Sequence, residues 1–219
     1  MSAINNELAK NLSKMRRNSE ALYHKACEVI PSGTVSRARI APPVPIFVAR
    51  GEAASILDVD GNEYVDCGMG FGSHILGHAH PVVIDAAQVA LKDGTMYGTP
   101  HGREAELAEL LIEAIPCADK VTFCNSGSEA TLNAIRMCRA HTGKMGVAKF
   151  EGGYHGWYDS VLGSVAGISG PIEDPNFVSH SIGVPQESTA HSYSLPFNNQ
   201  AAFDKIVKLK DNLAVVMIE

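Results

Sequence analysis

The stretch FCNSGSEATLNAIRMCRAHTGK, Phe123 to Lys144, places Asn-Ser-Gly-Ser between an apolar run and a long helical pattern. KVTFC (Lys120 to Cys124) reads as a short buried strand, and Ser128 to His141 as the helix that follows it. The N-terminus of a helix presents unpaired amides and a partial positive charge. Gly127 lets a ligand approach the backbone, and Ser126 and Ser128 add hydroxyl donors, so the turn can hold an anion. A strand-to-helix turn at the carboxyl end of a parallel strand is also where α/β sheets bind ligands. A plainer pattern fits the same residues. Ser126-x-x-Glu129 matches a capping box with Ser126 as N-cap. The two are compatible, because a glutamate folded back onto its own turn points away from the anion.

Working outward, the texture on both sides is that of strands alternating with helices. Pro81 to Lys92 reads as a helix with proline in its first turn, and Arg103 to Ile115 as a second, with Leu107, Leu110 and Leu111 on one side. GVAKF (Gly146 to Phe150) is a strand, Phe203 to Lys208 a helix, and LAVVMI (Leu213 to Ile218) a third strand whose continuous apolar run suits burial on both faces. Such alternation implies right-handed βαβ units and a parallel sheet. The last strand runs to Glu219 with no second half of the sheet behind it, so the chain is expected to be the front part of a larger protein. Gly163 to Gly183 has no clear period and many Gly, Ser and Pro residues, the composition of a lid or a disordered loop.

Before residue 71 the pattern differs. One helix is expected from about Ile4 to Ile30, stopped by Pro31-Ser32-Gly33. After a Pro- and Arg-containing loop come IFVAR, ASILDVD and EYVDC, with Asp60-Gly61-Asn62 signalling a hairpin. The expected organisation is therefore an N-terminal helix and small antiparallel segment over 1–70, and the front part of a large α/β domain over 71–219.

Composition narrows the functions. The 219 residues are 45% hydrophobic and 19% charged, which are globular proportions. A formal net charge of -6 with no basic cluster beyond Arg16-Arg17 argues against a nucleic-acid partner. No apolar run is long enough to span a membrane, and MSAINNELAK lacks the layout of a signal peptide. Five cysteines, an odd number without C-x-x-C spacing, point to a reducing cytoplasm rather than a disulfide framework.

Other constellations carry less. G-x-x-x-x-G-K-[ST] is absent, and Gly68-x-Gly70-x-Gly72 lacks the spacing of a dinucleotide loop. His74, His78 and His80 have no carboxylate or thiolate at fitting spacing, so no metal site is expected. Cys124 ends an apolar run and reads as a buried small hydrophobe. EGGYHGWYD (Glu151 to Asp159) lies at the carboxyl end of the strand after the Ser-Gly-Ser helix. Adjacent parallel strands deliver such loops to one rim, so Tyr154 and His155 could face the turn. An aromatic face beside a phosphate clamp suits a flat, phosphorylated cofactor. A glycine-rich surface loop with aromatic anchors is the alternative.

Together, NSGSEA and KFEGGYHGWYDS (Lys149 to Ser160) resemble the class III pyridoxal-phosphate-dependent aminotransferases, and among them the glutamate-1-semialdehyde 2,1-aminomutase branch. IPSGTVSRAR (Ile30 to Arg39), LDVDGNEYVDC (Leu57 to Cys67), ILGHAHP (Ile75 to Pro81), GTMYGTP (Gly94 to Pro100) and AVVMIE (Ala214 to Glu219) extend the resemblance in the family's order through nearly the whole chain.

The resemblance implies an α/β fold of the aspartate aminotransferase-like type, truncated here, and a homodimer with active sites at its interface. It implies pyridoxal 5'-phosphate as cofactor and a small amino-acid or keto-acid substrate. It makes Ser126, Gly127 and Ser128 the phosphate holders, stacks Tyr154 on the pyridine ring and lays His155 beside it. It gives Arg39 the substrate carboxylate, Phe71 a wall of the substrate pocket, and 163–183 the role of a mobile lid. The family's Schiff-base lysine and pyridine-nitrogen aspartate lie beyond Glu219, and neither Lys144 nor Lys149 stands in their place. The chain alone is thus expected to hold cofactor at most noncovalently. Mutase and transaminase remain open, as does a noncatalytic cofactor-fold binding or dimerisation protein.

Overall fold

The computed structural model describes residues 3–219, with side chains from Glu7 onward except that of Arg37. Met1 and Ser2, where the sequence was read against a signal peptide, lie outside the described residues. The chain divides into two compact units, 1–100 and 101–219. Residues 71–100 group with the first.

In the first unit the expected single N-terminal helix is two: α1 (Ala3–Met15) and α2 (Arg17–Val29), broken at Arg16. The break has a tertiary cause. The Asp60 carboxylate accepts the backbone N–H groups of Asn18 (2.6 Å) and Ser19 (2.9 Å), and the Ser19 hydroxyl (2.7 Å). It thereby caps the start of α2 from more than forty residues away. Arg16 leaves the helix to donate to the Val44 carbonyl, with its guanidinium over the Tyr64 ring.

Strands β1 (Val48–Glu52), β2 (Ser55–Asp58) and β3 (Glu63–Val65) form the expected antiparallel sheet in sequential order. Asp58 organises the hairpin. Its buried carboxylate accepts the N–H groups of Asp60 and Asn62, the Asn62 amide and the Tyr64 hydroxyl. Burial alone would raise its pKa. The bonds from Asn62, Tyr64 and Asp60 outweigh burial and hold it below the usual carboxylate range. Helix α3 follows at Pro81–Leu91, as expected.

The second unit contains α4 (Gly102–Ala114), α5 (Gly127–Thr142), β4 (Gly146–Phe150), the single turn α6 (Gln186–Thr189), β5 (Ser192–Leu195), α7 (Ala201–Leu209) and β6 (Leu213–Met217). β4 is central, hydrogen-bonded in parallel to β5 on one edge and β6 on the other. Alternate residues of β4 serve two cores. Val147 packs with Ile135 of α5 and Val161, while Ala148 packs with Leu195, Leu213 and Ala202 of α7. Period-2 alternation thus places α5 and α7 on opposite faces of the sheet.

Two expectations fail here. KVTFC forms no strand: no described residue hydrogen-bonds to it as a sheet neighbour, and Phe123 is 46% exposed. Its composition favours an extended backbone, but a strand also requires a partner edge. β5 was not anticipated, because two of its three buried side chains are serines, Ser192 and Ser194. Ser192 Oγ donates to the Ser160 carbonyl and Ser194 Oγ to Glu151 Oε1, so polar residues stand where apolar alternation is the usual signal.

Candidate functional site

Ser126 is the N-cap of α5. Its hydroxyl accepts the Glu129 amide (3.3 Å) and lies 3.2 Å from the Glu129 carboxylate. The capping pattern read from the spacing is therefore realised, although the glutamate returns to the hydroxyl rather than to the Ser126 amide. The N–H groups of Gly127 and Ser128 have no acceptor among the described residues. They head a 16-residue helix, so the turn is an anion-binding terminus in form.

The turn after β4 lies directly against this terminus. The Ser128 hydroxyl accepts the Trp157 amide (3.3 Å), and the Thr131 hydroxyl donates to the His155 carbonyl (2.7 Å). Gly156, at φ +96, has no room for a side chain because the Ser128 Cα and Oγ occupy the place of its Cβ. Ser126, Gly127, Ser128, Tyr154 and His155 thus belong to two turns in contact beyond the carboxyl end of β4, although the run before Ser126 is not a strand of the sheet. Tyr154 leaves its ring half exposed, and His155 is buried.

The order of the second turn comes from behind. Glu219, following β6, accepts the Tyr154 amide at 2.5 Å. The Glu151 carboxylate is held by Ser194 through one oxygen, while its other oxygen and His155 Nε2 are buried without partners among the described residues. Burial lowers the His155 pKa, the nearby Lys149 charge lowers it further, and Glu219 opposes both. A cavity of about 370 Å³ opens among Phe150, Glu151, Gly152, Phe197, Ile218 and Glu219.

Arg39 and Phe71 belong to the first unit. Arg39, at the end of a short 3-10 turn, lines a cavity of about 650 Å³ together with Ile30, Phe47, Val48 and Asp66. Phe71 is 77% exposed, at φ +59, and is not among the residues lining that cavity. His78, the middle member of the histidine triplet, is engaged with Asp66 through Nε2 at 2.7 Å. Among the described residues no group of His, Cys, Asp and Glu is arranged to hold a metal ion.

Sequence reasoning missed Thr131, Lys149 and Glu219. A threonine one turn into the helix after a phosphate-type loop was a usable signal for Thr131. Lys149 and Glu219 matter through tertiary contacts, and no local pattern marks them.

Comparison with known proteins gives this geometry a lineage. A family model for aminotransferase class-III matches residues 36–219. Glutamate-1-semialdehyde 2,1-aminomutase of Methanothermobacter thermautotrophicus is 41% identical over 202 residues, covering 92% of this chain and 47% of the relative. The Heliobacterium modesticaldum protein of the same name is 40% identical over 215 residues, covering 95% and 48%. Among solved structures, an omega-transaminase from Sphaerobacter thermophilus superposes with a TM-score of 0.85 at 36% identity, covering 92% of this chain and 47% of that one. A transaminase with PLP bound gives 0.82 at 35%, covering 93% and 47%. The chain spans about half the length of the curated relatives it matches, and over that span it has the α/β fold of these transaminases. With the match extending from residue 36 to Glu219, the chain belongs to the class-III aminotransferase family.

Proposed function

We propose that this chain supplies the phosphate-holding and ring-stacking half of a pyridoxal 5'-phosphate site, in a protein that moves an amino group on a small, carboxylate-bearing amino acid. The observation that carries the reading is the contact between the Ser126–Ser128 turn and the Tyr154–Trp157 turn. The residues fit the cofactor. Two free amides at a helix N-terminus, those of Gly127 and Ser128, suit a phosphate dianion. The Ser128 oxygen accepts from Trp157 and keeps its own proton to donate. The half-exposed Tyr154 ring suits a flat heterocycle.

When bound, pyridoxal phosphate supplies an electron sink for carbanion chemistry at the amino-bearing carbon. The chain's own residues bind and orient. Gly127 and Ser128 would hold the anionic tail and Tyr154 would cover the ring, with His155, whose pKa burial and the Lys149 charge lower, in the same turn. Arg39 is proposed to receive the substrate carboxylate and Phe71 to wall the pocket. The Schiff-base lysine and the aspartate at the pyridine nitrogen are assigned to the half of the family fold outside the matched span, so the complete reaction is a property of the full-length form. A homodimer, a cytoplasmic setting and a closing lid over 163–183 belong to the same reading. Mutase and transaminase outcomes differ by whether an added keto-acid acceptor is required.

Equilibrium dialysis of the chain with pyridoxal phosphate and with unphosphorylated pyridoxal tests the cofactor step. The phosphorylated form should bind at least about tenfold more tightly, one good anion contact being worth that much. Equal uptake of the two would sink the reading.

A second reading is a noncatalytic binding or dimerisation protein, with exposed surface left over for a partner. The chain exposes 15566 Å². Two separate globules of its two units' sizes would expose about 12,000 Å². That excess is surface for the other half of the family fold or for a partner subunit to cover. Colour and borohydride fixation of the cofactor in the full-length form separate the two readings.

A further inference from the structure

Lys149 is the largest side chain buried to within 2% of full coverage, and neither the phosphate turn nor the ring stack employs it. Its ammonium donates to the carbonyl oxygens of Gly163 (2.9 Å) and Ser164 (3.2 Å). The same Ser164 oxygen accepts the Gly152 amide (2.9 Å), so one atom joins the lysine, the start of the 163–183 segment and the turn that leads to Tyr154. The surroundings are built to present these oxygens. Ser164 stands at φ +50, a region unfavourable to a non-glycine residue by about 1 kcal/mol or more. It is held there by its hydroxyl, which accepts the Val178 amide and donates to the Asn176 carbonyl. A Cβ at Gly163 would fall 2.8 Å from the Val178 carbonyl oxygen as well as against the Phe177 ring. Glu151 and Glu219 are the charges that act on Lys149; Lys149 and Glu219 are those that act on His155.

We propose that Lys149 is the positioning residue for the turn that presents Tyr154 and His155, pinning it to the base of the 163–183 segment through the Gly163 and Ser164 carbonyls. Its use for a cofactor rests on the reading above; the pin itself does not. Burial of a charge this deep is costly. Two of the three ammonium donors are satisfied, and although Glu151 and Glu219 favour the charge, burial outweighs them and lowers the Lys149 pKa. The ammonium also adds to burial, the larger cause, in lowering the His155 pKa.

Lys149→Met, close in length but without donors or charge, tests this in the full 219-residue chain without cofactor. Exchange of the Gly152 and Ser164 amides should accelerate by at least about tenfold, the worth of a hydrogen bond from a charged donor. The His155 titration followed by NMR should move upward. Glu219→Gln should move it downward, since that carboxylate acts in the opposite sense. A side chain that only fills space predicts neither movement, so unchanged exchange and an unmoved His155 overturn the proposal. If Lys149→Met does not fold, amide exchange in the unsubstituted chain decides: Gly152 and Ser164 amides protected together, and lost together on opening, support the pin, while either exchanging as fast as an open loop overturns it. A chain that passes but takes up no pyridoxal phosphate refutes the cofactor reading alone. One that binds cofactor but fails these tests refutes this inference alone.

Discussion

A Cβ added at Gly156 falls 2.7 Å from the Ser128 hydroxyl and 2.8 Å from the Ser128 Cα. The two turns of the site are therefore in backbone contact, and a backbone cannot swing aside as a flexible side chain does. Gly156→Ala adds this clash to the strain of an L-residue at φ +96. The variant should lose about 2–4 kcal/mol in urea unfolding. It should also lose pyridoxal phosphate binding by more than about tenfold if the proposed site is right, because the Tyr154–Trp157 turn is pushed off the Ser126–Ser128 turn. Wild-type stability together with wild-type dialysis would show that the contact is not needed.

Ser126 separates the two roles of its turn. Its hydroxyl caps α5, so Ser126→Ala should cost about 1 kcal/mol. Ser126→Asp keeps an N-cap acceptor and should restore most of that loss. The same aspartate places a negative charge beside the free amides of Gly127 and Ser128, and phosphate affinity should fall. Thermal unfolding and dialysis on both variants read the two effects separately. An aspartate variant that binds pyridoxal phosphate as well as the parent chain places the anion elsewhere.

What could be read in the residues was what the residues decide locally. α5, β4, β6 and the Asp60-Gly61-Asn62 hairpin announce themselves through caps, apolar runs and turn chemistry. The break at Arg16 could not be read, because its cap is Asp60. β5 escaped because Ser192 and Ser194 fill its buried face, and their partners lie far along the chain. KVTFC misled for the opposite reason: its propensity is strong, but pairing is not a property of the segment. For the site, Ser126-Gly127-Ser128 was legible as a helix cap, which the structure realises. That Ser128 takes its hydrogen bond from Trp157, 29 residues on, is a fact of topology.

Acid should loosen the first unit by way of Asp58. Its folded pKa lies below the unfolded value, so its stabilisation is complete above the unfolded value near 3.8 and is lost as pH falls through the folded pKa. Fluorescence of Tyr64, which donates to that carboxylate, should report the loss. Asp58→Asn keeps the shape but removes the charge that four donors point at, and should destabilise by about 2–4 kcal/mol while flattening the acid limb. An unchanged acid limb in Asp58→Asn would assign it to other carboxylates.

The exposed faces of the helices make the last prediction. α4 buries no residue, and Leu107 and Leu110 stand 48% and 62% exposed on the stripe that its spacing predicts for a packed face. An amphipathic helix gains little from propensity alone; its stability comes from covering such a stripe. The chain should therefore associate with concentration in sedimentation experiments, through α4 among other surfaces. Leu110→Glu should weaken that association while changing unfolding stability at low concentration by no more than about 0.5 kcal/mol, as surface substitutions do. If Leu110→Glu instead unfolds the dilute chain, the leucine is covered from within, and the surface excess has to be assigned to other elements. If it changes neither property, α4 stays in water and the dimer implied for the family uses a different face.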